Sequence, residues 1–306
     1  MNAELCCAVL SYRDEPFLVE AVRSLLNQCM PVEVVVVNSG GGEPALRLAR
    51  AGITVPVISV PERLYAGGAR NIGIRHTRAP LVAFLAADCL ATAGWAAGRI
   101  AAHRKGARAV ASVLTNADRE SGIGWAALLL IHHRRIRGAS QRQQLLYSLS
   151  YERSLFVEHG LFREDLPGGE DTEFNARLSR GERVVLARDV VTAHRYPSTL
   201  RDFLADARRR GQLQARMQGA LEGRGPRRLL VAARGPLSVV HSLLASLRSP
   251  RDERWPLLRA WPLVVLGSIS YAAGALSAGG GQEPSRGPGA WAPASPCRRS
   301  GPRQPP

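Results

Sequence analysis

The chain has 306 residues, 45% of them hydrophobic, enough for one sizeable α/β domain with a packed core and a smaller region beside it. It carries 41 Lys and Arg against 25 Asp and Glu, a net charge of +16, which favours partners that bear phosphate. The five cysteines are odd in number and form no C-x-x-C pair, so they read as buried free thiols in a reducing cytosol, and the N-terminus does not read as a secretory signal.

Short apolar runs alternate with helical patterns through the first half. Residues 5–10 read as a strand, and residues 16–28 follow as a helix, with Phe17, Leu18, Ala21, Val22, Leu25 and Leu26 at helical spacing. Residues 32–37 are almost pure Val, a strand covered on both faces. A helix at 43–51, a strand at 53–60, a helix at 66–76 and a strand at 80–87 come next. A helix at 93–103 and a strand at 108–114 complete a βαβαβαβ rhythm. That rhythm predicts a doubly wound, mostly parallel sheet flanked by helices. Ligands of such sheets bind beyond the carboxyl ends of the strands, where strand order reverses.

Those strand ends carry polar groups. Ser11, Tyr12, Arg13 and Asp14 follow the first strand, Asn38 and Ser39 the second, Arg63 the third and Asp88 the fourth. Each could cap a helix. Their succession on one rim is what a nucleotide site requires, with Asn38 reading a base or ribose and Tyr12 stacking on a base. In YAGGARNIG (residues 65–73), Gly67 and Gly68 allow close backbone approach to a ligand, and Arg70 projects from the first turn of the helix that follows. A helix start with an added guanidinium suits phosphate. In LPGGEDTEF (residues 166–174), Glu170 and Asp171 stand behind a Gly pair at a helix start, where one of them can act as general base. His194 closes the next strand, residues 183–191, and with Asp88 offers an O/N pair for a divalent cation.

Taken in order, SYRDEPFLVEAVRSLLNQ, VEVVVVNSG, GGARNIG, FLAADC, GGEDTEFNARL and His194 resemble an inverting GT-A-fold glycosyltransferase of family 2 over about residues 4–200. The resemblance implies a nucleotide-diphosphate sugar donor, a glycan or lipid-linked acceptor, and a divalent cation, Mn or Mg. Ser11, Tyr12 and Asn38 would hold the nucleoside, and Arg70 the nucleotide side. Asp88 would meet the cation, Asp171 would be the base with Glu170 beside it, and His194 a further ligand. Two departures stand out. Ala86 replaces the first acid of the family's D-x-D, and Asn38 replaces the Asp that typically reads uracil.

Two other readings compete. Gly40-Gly41-Gly42-Glu43-Pro44-Ala45 with Glu62 satisfies a dinucleotide fingerprint, which would make the chain an oxidoreductase, but it follows the second strand rather than the first. Ala86 also allows a catalytically impaired binding protein of the same fold.

Residues 201–278 read as a basic and apolar helical region, with 14 Arg against 5 acids between Arg195 and Arg259. Residues 260–278 then run 19 positions without a charge, flanked by Trp255 and Trp261. This pattern fits an anionic membrane surface better than nucleic acid, and predicts a protein on the cytoplasmic face of the cell membrane. The Gly/Pro/Ser/Arg-rich residues 279–306 read as a disordered tail.

Overall fold

The computed structural model describes residues 3–139, 150–178, 182, 184–221 and 228–278, so the tail beyond residue 278 lies outside the described residues. Among the described residues, eight strands form one mixed sheet. They are β1 (Leu5–Tyr12), β2 (Val32–Ser39), β3 (Val57–Val60), β4 (Leu81–Ala86), β5 (Cys89–Ala91), β6 (Ala109–Asn116), β7 (Ser150–Glu152) and β8 (Val184–His194). Their order is β3-β2-β1-β4-β7-β6-β8-β5. The first four are mutually parallel, as is the β6/β8 pair, while β7 runs antiparallel to β4 and β6, and β5 antiparallel to β8. The chain winds outward from β1 to β3 and then returns to place β4 on β1's other side. Strand order reverses there, and the rim above β1, β2 and β4 is the ligand position for such a sheet.

Helices α1 (Leu18–Leu26), α2 (Pro44–Arg50), α3 (Ala66–His76) and α4 (Trp95–Arg104) cover the faces. β1 shows why both faces need cover. Leu5, Cys7 and Val9 enter one core with Leu18, Val22 and Trp95, whereas Cys6 and Ala8 enter the other with Ile74 and Tyr151. The third strand starts at Val57, four residues later than its apolar run implies. Pro56 has no N–H to give to the ladder, although its carbonyl still accepts from Val36 (2.9 Å). β5 and β7 have three residues each, too few for a periodicity to announce them.

The remaining helices are α5 (Gly122–His132), continued by a 3-10 turn at His133–Arg135, then α6 (Ser154–Glu158), α7 (Glu170–Arg177), α8 (Leu200–Leu221), α9 (Arg228–Arg248), α10 (Arg251–Arg259) and α11 (Trp261–Leu276). α5 and α8 to α11 share a third core that includes Trp125, Phe203, Leu257 and Val264. The uncharged run at 260–278 is therefore not a free-standing rod. α11 bends by 56° from α10 and packs on α8. The two helices touch backbone to backbone, for a methyl group on Gly274 would lie 2.0 Å from the Arg208 carbonyl oxygen.

Candidate active site

At one end of the rim, Ser11 and Asn38 are register partners on adjacent strands, and both are buried. Asn38 Nδ2 donates to the Gly41 carbonyl (2.8 Å), which fixes the amide's orientation and leaves Oδ1 as an acceptor. Neither Asn38 Oδ1 nor Ser11 Oγ has a partner among the described residues. An unpaired buried polar atom costs about 1–3 kcal/mol, so two together mark a place where a ligand's polar groups would fit. Tyr12 follows Ser11 on the same rim. Its ring already lies against Gly40, with the guanidinium groups of Arg13 and Arg63 at 5.1 and 5.3 Å. The Gly40–Gly42 loop packs on the β1–α1 turn, where Asp14 Oδ1 accepts from the Glu43 amide (3.0 Å). A methyl group on Gly42 would meet that same carboxylate at 2.7 Å, so the close approach that Gly42 permits is to this chain's own Asp14.

Further along the rim, β5 brings two distant residues together. Its antiparallel pairing sets Cys89 opposite His194, so His194 Nε2 lies 3.7 Å from Asp88 Oδ2. That separation leaves both side chains able to reach one small cation. Asp88 Oδ, Cys89 Sγ and a His194 ring nitrogen all lie within 4.8 Å of one another. The donor set fits a hard cation through its oxygen and nitrogen. Burial, and then Asp88, hold the Cys89 thiol well above its usual range, so its sulfur stays protonated and is a poor ligand. Burial pushes His194 down against the pull of Asp88, keeping the imidazole neutral and able to ligate. Ala86 is exposed beside this pair and contributes nothing to it.

The third group is the start of α7. Gly169, at φ 79°, turns the chain so that Glu170 and Asp171 enter the helix with both side chains buried. Asp171 Oδ1 accepts from the Thr172 amide (2.7 Å), and the residue has no ion pair among the described residues. Glu170 pairs with Arg70, whose guanidinium sits 5.4 Å from the Phe84 ring and 5.2 Å from the Phe162 ring. Asn71 brackets the approach to this segment, donating to the Phe162 carbonyl and Glu164 Oε1 and accepting from the Phe162 amide. Gly67 is small for the same reason: a methyl group there would lie 2.1 Å from the Arg163 carbonyl oxygen. The close approach that Gly67 permits is therefore to this chain's own backbone. Arg70 is paired with Glu170 rather than standing alone for phosphate.

Three residues that sequence reading did not single out complete the surroundings. The rings of His132 and Tyr196 lie 5.6 and 4.5 Å from that of His194, and His132 Nδ1 and the Tyr196 hydroxyl are buried without partners among the described residues. Arg135 bears electrostatically on both His194 and Tyr196. The signal for His132 and Arg135 was the basic run IHHRR at 131–135, whose position depends on helix packing, and nothing in the pattern singled out Tyr196.

The parallel half-sheet, its polar rim and the Asp88–His194 pair define a GT-A-type domain. Residues 6–156 match the family model Glycosyl transferase family 2, which identifies this stretch as a domain of that family. None of the curated proteins compared matches it. Among solved structures it resembles the mannosyltransferase PcManGT from Pyrobaculum calidifontis in complex with GDP-Man and Mn2+, at 17% identity and a TM-score of 0.53, covering 88% of this chain and 87% of that one. It also resembles S. aureus TarS 1-349 in complex with UDP-GlcNAc, at 16% identity and a TM-score of 0.50, covering 88% of this chain and 89% of that one. Both likenesses are of fold.

Proposed function

We propose that the protein transfers a sugar from a nucleotide-diphosphate sugar to an acceptor hydroxyl, with inversion at the anomeric carbon. The observation that carries this reading is one rim with two unpartnered buried atoms, Ser11 Oγ and Asn38 Oδ1, at one end and the Asp88–His194 pair at the other. The nucleoside sits at the first, where Asn38 Oδ1 accepts an N–H of the base, and the diphosphate at the second. GDP-Man and UDP-GlcNAc in the two fold relatives support a donor of this class.

Asp88 and His194 would hold a divalent cation, Mn or Mg, which when bound offsets negative charge on the diphosphate. Asp171 takes the proton of the acceptor hydroxyl as that oxygen bonds to the anomeric carbon. The carbon's bond to the diphosphate oxygen breaks on the opposite face, and the electron pair leaves with the nucleoside diphosphate. Attack and departure on opposite faces give inversion, through an oxocarbenium-like state. Glu170, held by Arg70, fixes the start of α7 and so the position of Asp171.

We further infer that the enzyme works on the cytoplasmic face of an anionic membrane, held there by its C-terminal helices. α9 is long and apolar enough to enter a membrane, with a mean hydropathy of 1.4. Leu229 is 78% exposed, Trp255 66% and Ile269 63%, beside Arg228, Arg251 and Arg254. A panel of nucleotide-sugars, tested by thermal shift with Mn2+ or Mg2+, checks the central reading. Stabilisation by one nucleoside series supports it, and no shift with any of them overturns it.

A further inference from the structure

A cavity of about 650 Å³ opens among α5, the 3-10 turn, α8, α9 and α11. One part of its wall is basic, from Arg134, Arg135 and Arg210. Another part is apolar, from Leu130, Leu213 and Val231. No acidic side chain lines it among the described residues. Asp206, just behind, orients Arg210 by accepting from its Nε (2.6 Å). His133 also borders the cavity, and burial, followed by the Arg134 charge, lowers it to about 4. The imidazole therefore stays neutral, and the positive potential belongs to the arginines.

The cavity adjoins the active site. His132 belongs to its wall, and the His132 ring lies 5.6 Å from that of His194. Ser11 and Asn38 stand on β1 and β2, whereas His194 ends β8 near the opposite edge of the sheet. A donor lying from Ser11 and Asn38 to Asp88 therefore ends where the cavity begins, and the cavity is left for the second substrate.

We propose that this cavity seats the acceptor, and that the acceptor carries a phosphate group joined to an apolar chain. The inference rests on the glycosyltransferase reading above and names its acceptor class. Arg134, Arg135 and Arg210 take the phosphate through charge-assisted hydrogen bonds, and Leu130, Leu213 and Val231 take the first part of the chain. A volume of this size holds such a head and several methylenes.

The test uses the full chain and calorimetry with decyl phosphate, decanol, inorganic phosphate and a nucleoside diphosphate with Mn2+. Decyl phosphate should bind at least about tenfold more tightly than decanol or inorganic phosphate, since only it uses both parts of the wall. Arg134→Gln with Arg210→Gln should weaken it about tenfold or more and leave nucleotide affinity unchanged. Arg134→Lys with Arg210→Lys keeps the charge and should retain most of the binding, which separates lost charge from misfolding. Equal binding of decanol and decyl phosphate, or of wild type and the Gln pair, overturns the proposal. Vesicles containing phosphatidylglycerol distinguish the source of the phosphate. If their binding falls in step with decyl phosphate binding, the cavity is a membrane headgroup site and the acceptor assignment is wrong. A protein that binds nucleotide but not decyl phosphate loses only this inference. One that binds no nucleotide loses the glycosyltransferase reading and this inference with it.

Discussion

Arg70 and Glu170 form an ion pair across 100 positions, joining the second turn of α3 to the first turn of α7. The Arg70 side chain is 17% exposed and that of Glu170 only 6%, so neither partner can turn to water if the other is lost. The GGARN stretch thus acts as a clamp. Gly67 admits the 163–164 backbone, Asn71 brackets Phe162, and Arg70 holds the acid beside Asp171.

Arg70→Met should therefore cost stability as well as activity. Removing one partner of a buried pair costs about 3–5 kcal/mol, because the other charge stays buried alone. Glu170→Gln keeps a hydrogen-bond acceptor for the guanidinium and should cost less. Urea unfolding of the two variants checks the order, and equal midpoints for Arg70→Met and wild type would show the pair to be idle.

Asp171→Asn should lower kcat by roughly 10²–10⁴-fold while donor affinity holds, because a general base acts on the acceptor and not on the nucleotide. The asparagine can still accept from the Thr172 amide, so the helix start survives. Turnover within a few-fold of wild type would remove Asp171 from the mechanism.

Asp88→Ala should abolish metal-dependent tightening of nucleotide binding, whereas His194→Ala should weaken it in part. Ala86→Asp should leave it unchanged or strengthen it, since residue 86 is exposed beside Asp88 and admits a carboxylate without burying it. Calorimetry with and without Mn2+ provides the comparison. Equal affinities for Asp88→Ala and wild type would reduce that aspartate to a strand terminator.

The Ser11–Asn38 end was legible because the apolar runs LCCAVL and VVVV stop at Ser11 and Asn38, and hydrophobic patterning reports such stops directly. The Asp88–His194 contact was legible as a possibility only. It is made by β5, whose three residues carry no pattern. The cation-rich cavity was not legible, for Arg134 on the 3-10 turn and Arg210 on α8 come to one wall only through helix packing, and sequence distance says nothing of that. In the 260–278 run the apolar pattern was visible and the contacts were not. Hydropathy counts apolar residues without seeing that Gly267 and Gly274 are contact points, so a packed helix and a membrane span look alike.

Acid should weaken the fold through its histidines. Burial lowers His133 from 6.5 to about 4 and pushes His103 and His132 in the same direction. Between about pH 6.5 and 4 the unfolded chain binds protons that the folded chain refuses, so stability is present above this window and is lost as pH falls through it. The Tm should drop from pH 7.5 to 5, and His133→Gln, which keeps a donor for the Leu129 carbonyl, should drop less. A steeper loss in that variant would contradict the assignment.

The helix crossing offers the last prediction. A methyl group on Gly211 would lie 2.0 Å from the Tyr271 carbonyl oxygen, and one on Gly274 2.0 Å from that of Arg208. In a solvent-exposed helix, Gly→Ala stabilises by about 1 kcal/mol through helix propensity. Here the obstacle is backbone, which cannot rotate aside as a side chain would, so α8 and α11 must separate. Overpacking of this kind typically costs about 1–3 kcal/mol, which outweighs the propensity gain. Gly211→Ala and Gly274→Ala should each be destabilising, and the double variant should lose less than the sum, because one separation relieves both clashes. Separation also parts Arg210 and Leu213 on α8 from Tyr271 on α11, which share the cavity wall, so decyl phosphate binding should weaken in both variants. Urea midpoints above wild type in either variant would mean that the two helices do not meet this closely in solution.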